Sequence, residues 1–226
     1  MFSPIILIAL LGMILQGTFI AVEKKEKYVA ADILKGSAAL MFVIIGYIGY
    51  TNITTDSFGK KILIGLIFGM LGDILLNLRF VFKKAGQKVF LVGIVAFLTG
   101  HILYLAALIP FAEHLVVDII IGAVIAAALL TYIFKTMEVK PAFKAFGIVY
   151  LGAVIIMTVI AIHIAIGTCN THDIVYAVGA VLFTVSDVVL IFNTFSKTTK
   201  FSLRITNLSL YYIGQLLIAG SLFIQR

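Results

Sequence analysis

Residues 62–79 read ILIGLIFGMLGDILLNLR, a run that is long and apolar enough to cross a membrane as one helix. An acid, Asp73, lies inside it, and a charged side chain within the hydrocarbon is so costly that neighbouring helices have to enclose it. Gly65, Gly69, Gly72 and Asp73 share one helix face, and small residues at this spacing let another helix approach closely. The sequence therefore predicts that Asp73 faces the interior of a helix bundle.

A second acid, Asp187, lies in a later apolar run, GAVLFTVSDVVL, and again has small residues ahead of it on its face. Acids inside membrane helices are functional candidates by default, although a purely structural role in holding helices together stays open. Asn77 lies one turn beyond Asp73 and could hydrogen-bond it. Ser186, next to Asp187, could donate a hydrogen bond to nearby groups.

Hydrophobic residues make up 62% of the 226 residues and charged residues only 12%, whereas soluble domains are about half apolar and about a quarter charged. The composition therefore predicts a single, multi-pass integral membrane domain over residues 1–226. The location that we expect, a bacterial cell membrane, does not follow from composition. The net charge of +7 lies mostly in short loops, where it meets anionic lipid, so nucleic acid is not an expected partner. A single cysteine, Cys169, excludes an internal disulfide.

The apolar runs predict an all-α fold, a polytopic membrane protein with a bundle of eight transmembrane helices. The first run has no basic residue ahead of it, so we expect it to be retained as a span rather than cleaved as a signal peptide. The predicted spans are Phe2–Val22, Val29–Tyr50, Ile62–Leu78, Val89–Phe111, Leu115–Phe134, Phe143–Gly167, Ile174–Asn193 and Ile205–Ile224.

Basic residues set the orientation of these spans, because short loops rich in Lys and Arg stay on the cytoplasmic side. The even-numbered loops carry only Lys60 and Lys61, whereas the odd-numbered loops carry thirteen basic residues. We therefore predict that the odd-numbered loops are cytoplasmic and that both termini are outside. The thirteen residues are Lys24, Lys25, Lys27, Arg79, Lys83, Lys84, Lys88, Lys135, Lys140, Lys144, Lys197, Lys200 and Arg204.

The third loop, RFVFKKAGQKV at residues 79–89, alternates aromatic and basic residues. An interfacial anchor is the simpler interpretation of this pattern, and we favour it. The alternative is a rim that attracts the phosphate of a lipid headgroup.

Two short strings recur at a constant offset of 114 residues. GDILL around Asp73 matches SDVVL around Asp187, and GHIL around His101 matches GQLL around Gln215. An offset of four spans keeps both copies in the same direction, so the pattern indicates a 4+4 parallel internal repeat. Chance is the alternative for two matches this short.

Other polar side chains within the spans are predicted to line one cavity with the two aspartates, open toward the inner leaflet. Lys35 either snorkels to the interface or acts as a cation that pairs with an aspartate or holds a phosphate. His101 is either a hydrogen-bonded packing residue or part of the site. Tyr211 and Tyr212 are both expected at this cavity. The candidates for substrate binding or for a supporting role beside the aspartates are Lys35, Asn77, His101, Tyr104, Ser186, Tyr212 and Gln215.

Two further histidines do not fit this cavity. We expect a structural or interfacial role for His163, and His172 is predicted in an outer loop. A zinc ion needs three or four converging ligands, and the predicted spans hold only two histidines, so no metal is expected.

The strings GDILL, FLTGHILY, GAVLFTVSD and YYIGQLLI occur in this order along the chain. On these strings the chain resembles the YhhN-like membrane family, which includes the lysoplasmalogenases, over nearly its whole length. The resemblance implies eight spans and hydrolysis of the vinyl ether bond of lysoplasmalogens, which are lysophospholipids. The implied products are a fatty aldehyde and a glycerophospho-ethanolamine or -choline.

The chemistry of this reaction suits two acids. Cleavage begins when the outer vinyl carbon is protonated, which gives an oxocarbenium ion that water attacks. The proton donor is a carboxylic acid that keeps its proton near neutral pH, and a second carboxylate stabilises the cation, as in glycosidases. Asp73 and Asp187 are therefore the predicted catalytic residues, without a metal or cofactor, and either could be the acid.

A proton-coupled transporter of a small or lipid-like solute is the alternative function, because repeated halves and acids at mid-membrane are also features of transporters. Transporters usually break helices with Gly or Pro at the binding site. The three prolines, Pro4, Pro110 and Pro141, are all predicted at helix ends, which favours a fixed cavity over a moving gate.

Overall fold

The computed structural model describes residues 2–82, 84–139, 141–196 and 198–225. Within these ranges eight α-helices follow one another, which confirms the all-α fold, and each predicted span corresponds to one helix. A short 3₁₀ turn, Ile109–Phe111, extends the fourth helix. The helices are α1 (Phe2–Glu23), α2 (Tyr28–Asn52), α3 (Ser57–Leu78), α4 (Gly86–Leu108), α5 (Leu115–Thr136), α6 (Pro141–Thr168), α7 (Thr171–Phe195) and α8 (Phe201–Ser221).

Seven of the helices in the described ranges, α1 to α7, are long and apolar enough to span a membrane. The chain is therefore a multi-pass integral membrane protein. The last helix, α8, has 21 residues but a more polar composition, because its buried residues include Asn207, Tyr211, Tyr212 and Gln215. The packing of α8 along α7 and against α2 covers these polar groups with protein. That α8 also spans the membrane stays a prediction.

The connections after α1, α3, α5 and α7 lie at one end of the bundle, which we call the basic end. Three of the basic residues on which the predicted orientation depends, Lys83, Lys140 and Lys197, lie outside the described residues. The cytoplasmic position of the basic end and the outer position of both termini stay predictions.

Side-chain caps define where the two aspartate-bearing helices begin. Asp56 accepts a hydrogen bond from the main-chain amide of Gly59 at the start of α3, at 2.8 Å. Asn170 accepts one from the amide of Asp173 at the start of α7, also at 2.8 Å. These caps satisfy amide groups that the first turn of a helix leaves without a partner.

Glycines set the closest helix crossings, which are those of α3 with α4 and of α7 with α8. A Cβ atom on Gly100 would lie 3.0 Å from the carbonyl oxygen of Gly65, and one on Gly179 would lie 2.8 Å from that of Gly214. A side chain at these positions would therefore collide with main chain. The two glycine pairs are also 114 residues apart, the offset of the predicted repeat, although the repeat itself stays a prediction.

Candidate active site

A cavity of about 110 Å³ lies in the half of the bundle nearer the basic end, and residues of α2, α3, α4, α6, α7 and α8 line it. Asp73 borders it from α3 and Asp187 from α7. Both aspartates are buried, with 3% and 4% of their surface exposed. The volume has room for several water molecules. The two acids that the sequence singled out therefore share one site.

Two side chains hold Asp73. Lys35 Nζ lies 3.0 Å from its Oδ1, and Tyr211 Oη donates a hydrogen bond to its Oδ2 at 2.7 Å. Lys35 is only 4% exposed, so it does not snorkel, and its Nζ also lies over the ring of Phe19. Lys35 was expected either to snorkel to the interface or to act as a cation at the site, and the structure has it in an ion pair with Asp73. Both carboxylate oxygens of Asp73 thus have partners, as a buried charge requires.

Asp187 has a different partner. Tyr150 Oη, from α6, donates a hydrogen bond to Asp187 Oδ2 at 2.6 Å. His101 lies behind this phenol, with its Nε2 atom 3.5 Å from Tyr150 Oη and its ring edge-on to Phe183. Among the described residues, no Lys, Arg or His nitrogen forms a salt bridge with Asp187. The two acids therefore differ, because Asp73 has a counter-ion and Asp187 has a neutral phenol.

A layer of aromatic rings closes the deep end of the cavity. Tyr211 packs edge-on against Phe97 and Phe183, with ring centroids 5.9 and 5.3 Å apart. Beyond this layer, further from the basic end, Tyr104 Oη donates a hydrogen bond to Gln215 Oε1 at 3.0 Å. Tyr104 and Gln215 therefore lie behind the cavity wall, and neither side chain borders the cavity.

The prediction that Asn77 hydrogen-bonds Asp73 is wrong. With the side-chain amide of Asn77 turned so that its N and O atoms match their neighbours, it donates to Glu23 Oε1 at 3.1 Å and accepts from the main-chain amide of Asp32 at 3.2 Å. A step of four residues turns a helix by about 40° past a full turn. Asn77 therefore faces the ends of α1 and α2 instead of the cavity.

Tyr212 and Ser186 do not line the cavity either. The Tyr212 hydroxyl donates to the carbonyl of Ala38 at 2.9 Å and joins α8 to α2. Ser186 donates to the carbonyl of Asn207 at 2.9 Å, and the Asn207 amide donates back to the carbonyl of Ser186 at 2.9 Å. These residues connect the helices that form the site, and any further role for them stays a prediction.

The cavity is also lined by residues that the candidate set lacked, among them Tyr150, Tyr211, Arg79 and Arg204. Tyr150 lies alone in an apolar run, and nothing in the sequence marks it. Tyr211 was expected at the cavity and lines it together with Arg204 and Asn207, because these residues are three and four positions apart and share one face of α8. Arg79 and Arg204 belong to the basic residues of the loops in the sequence, and the position of their side chains at the cavity depends on the tertiary structure.

Arg79 and Arg204 lie where the cavity reaches the basic end. Arg204 donates two hydrogen bonds to the carboxylate of Glu23, at 2.7 and 3.1 Å. The guanidinium of Arg79 lies 4.6 Å from the ring centroid of Phe80 and 4.4 Å from that of Phe90. Burial and the positive charge of Arg204 lower the pKa of Arg79 to about 10, so Arg79 is still charged at neutral pH.

His163 and His172, which were not expected at the cavity, lie away from it. His163 Nδ1 is 2.7 Å from Asp118 Oδ1 at the opposite end of the bundle. His172 is fully buried, and its Nδ1 is 3.0 Å from Asp173 Oδ1. The prediction that His172 lies in a loop is wrong, because α7 begins at Thr171 once Asn170 caps it.

These features define a polytopic helical membrane protein with two buried acids in one cavity near an end of the bundle. A family model described as the YhhN family matches residues 30–222, and the chain therefore belongs to the YhhN family. This match confirms the resemblance drawn from the four sequence motifs. Comparisons with curated proteins and with solved structures gave no match.

Proposed function

We propose that this protein hydrolyses the vinyl ether bond of lysoplasmalogens and releases a fatty aldehyde and a glycerophospho-ethanolamine or -choline. The observation that carries the proposal is a pair of buried carboxyl groups on one small cavity, of which only Asp73 has a counter-ion among the residues that the structure describes. Membership of the YhhN family is compatible with a hydrolase.

The unequal partners assign a role to each acid. A buried carboxylate without a counter-ion is costly, so the protonated form suits Asp187, whose partner is the phenol of Tyr150. The charged form suits Asp73, which pairs with Lys35. Asp187 is therefore the proton donor and Asp73 the group that stabilises positive charge, a division of roles like that of paired acids in glycosidases.

The reaction proceeds in two stages. The proton of Asp187 passes to the outer vinyl carbon, the electron pair of the double bond forms the new C–H bond, and positive charge spreads over the inner carbon and the ether oxygen. The carboxylate of Asp73 stabilises this cation. Water then attacks the inner carbon and gives up a proton to Asp187, and the resulting hemiacetal separates into an aldehyde and an alcohol.

The test is aldehyde release by the purified protein. We expect one aldehyde per lysoplasmenylethanolamine consumed, measured by mass spectrometry of both products. The matched 1-O-alkyl lipid, which has no double bond to protonate, should stay intact. A folded, monodisperse protein that releases no aldehyde from vinyl ether lysolipids with either headgroup would contradict the proposal.

A proton-coupled transporter is the alternative, favoured by the acids in both halves of the chain and the matching glycine crossings. Against it, Pro4 and Pro141 lie in the first turns of α1 and α6, and Pro110 lies in the 3₁₀ turn, so proline breaks no described helix at the cavity. Proteoliposomes loaded with pyranine distinguish the two functions, because a substrate-driven pH change without aldehyde would establish transport.

Gly147 offers a test of where the substrate lies. It lines the cavity from α6, and a Cβ atom there would meet no atom within 4 Å. A leucine side chain would therefore extend into open space and fill part of the cavity without strain. We expect Gly147→Leu to lower kcat/KM for aldehyde release roughly tenfold or more, because small displacements of a substrate are costly to catalysis.

Gly152→Leu is the matched control for this variant. Gly152 is on the same helix and also has open space around its Cβ position, but it does not line the cavity. Both variants should keep the thermal unfolding midpoint of the wild type, and Gly152→Leu should keep its activity. If Gly147→Leu were as active as Gly152→Leu, the substrate would have to bind elsewhere.

A further inference from the structure

Arg79 carries a buried hydrogen-bond donor for which the described part of the chain provides no acceptor, its Nε atom. The rings of Phe80 and Phe90 lie against the guanidinium, each within 4.6 Å. Ring stacking occupies the faces of a guanidinium and leaves its N–H groups free in the plane. Arg79 also lines the cavity, so a ligand bound there would lie beside its guanidinium.

The other two cations at the cavity each have a carboxylate in direct contact. Lys35 pairs with Asp73, and Arg204 pairs with Glu23. Among the residues that the structure describes, no carboxylate forms a salt bridge with Arg79. The negative charge of Glu23 also acts on Arg79, but its direct partner is Arg204. The basic end of the cavity thus has a guanidinium without a carboxylate in direct contact, and this is the group that binds phosphate in bidentate fashion.

We propose that Arg79, with Arg204 beside it, binds the phosphate group of a single-chain ether lipid. The identity of that lipid rests on the function proposed above. In a lysophospholipid the phosphate, the glycerol, the ether oxygen and the chain follow in this order. The cavity has the same order, with the two arginines at the basic end and Asp73 and Asp187 further in.

The experiment measures binding separately from hydrolysis. Purified protein in dodecyl maltoside, a detergent without phosphate, is titrated with a radiolabelled 1-O-alkyl-glycerophosphocholine, which has no vinyl bond to cleave. The competitors are the 1-O-alkylglycerol with the same chain and inorganic phosphate. The variants are Arg79→Gln, Arg79→Lys and, as a control, Lys84→Gln, which removes an exposed cation from the same loop.

We expect the wild type to bind the phospholipid at least tenfold more tightly than the alkylglycerol. Arg79→Gln should weaken phospholipid binding about 10- to 100-fold, the range for a lost hydrogen bond to a charged group. Its affinity for the alkylglycerol should be unchanged, which shows that the variant is folded. Arg79→Lys should retain part of the preference, and Lys84→Gln should retain all of it.

Three results would overturn the proposal. The first is equal affinity of the wild type for the phospholipid and the alkylglycerol. The second is an unchanged preference of Arg79→Gln for the phospholipid over the alkylglycerol. The third is competition by inorganic phosphate as strong as that by the phospholipid, which would identify a site for free phosphate. A wild type that binds the phospholipid but releases no aldehyde from its vinyl ether counterpart would disprove the proposed hydrolysis and leave the phosphate site standing.

Discussion

Asp187→Asn should abolish aldehyde release, with a loss of turnover of about 10²–10⁴-fold, the usual contribution of a positioned acid. Asparagine has nearly the shape of aspartic acid and can still accept the hydrogen bond from Tyr150, but it has no proton to give to carbon. The variant should therefore fold with an unfolding midpoint close to that of the wild type. Initial rates of aldehyde release and thermal unfolding in detergent measure the two properties.

Asp118→Asn is the control for the loss of a buried acid. Asp118 is 1% exposed and pairs with His163 at the opposite end of the bundle, away from the cavity. This variant should keep its activity, whatever its stability. Full activity in Asp187→Asn would remove Asp187 as the proton donor.

Lys35→Met should destabilise the protein by about 3–5 kcal/mol, the cost of leaving one partner of a buried ion pair without its counter-ion. Methionine keeps the length of the side chain and its packing near Phe19, so the lost charge is the main change. Turnover should fall as well, because Asp73 would no longer be held ionised at 3.0 Å from a cation. The measurements are the thermal midpoint in detergent and the rate of aldehyde release.

The double variant Lys35→Met/Asp73→Asn separates the two effects. It removes both charges, so most of the lost stability should return, while activity stays absent because no carboxylate remains to stabilise the cation. Lys61→Met is the control, since Lys61 Nζ hydrogen-bonds the carbonyl of Ala106 far from the site. A Lys35→Met variant as stable as Lys61→Met would show that the ion pair does not support the fold.

The fold and three of the site residues could be predicted because a membrane imposes simple constraints. A crossing helix needs about 20 apolar residues, so the spans are visible as runs. The same requirement makes polar residues rare within them, and Asp73, Asp187 and Lys35 stand out for that reason. Their burial at one cavity followed from the high cost of charge in hydrocarbon.

The partners of the two acids could not be predicted in the same way, because they depend on how each helix is rotated. Tyr211 and Tyr212 are neighbours in sequence but point about 100° apart around α8. One of them hydrogen-bonds Asp73, and the other hydrogen-bonds the carbonyl of Ala38. Tyr150 meets Asp187 only because α6 packs against both α4 and α7, a tertiary contact that periodicity does not reveal.

Asp73 and the phenol that binds it, Tyr211, are separated by 138 residues. A ribosome that is still making the chain therefore delivers the first acid to the membrane long before its hydrogen-bond partner exists. The site is complete only when α8, the last helix, has joined the bundle. A chain released before α8 is made therefore lacks one wall of the cavity and the phenol that binds Asp73.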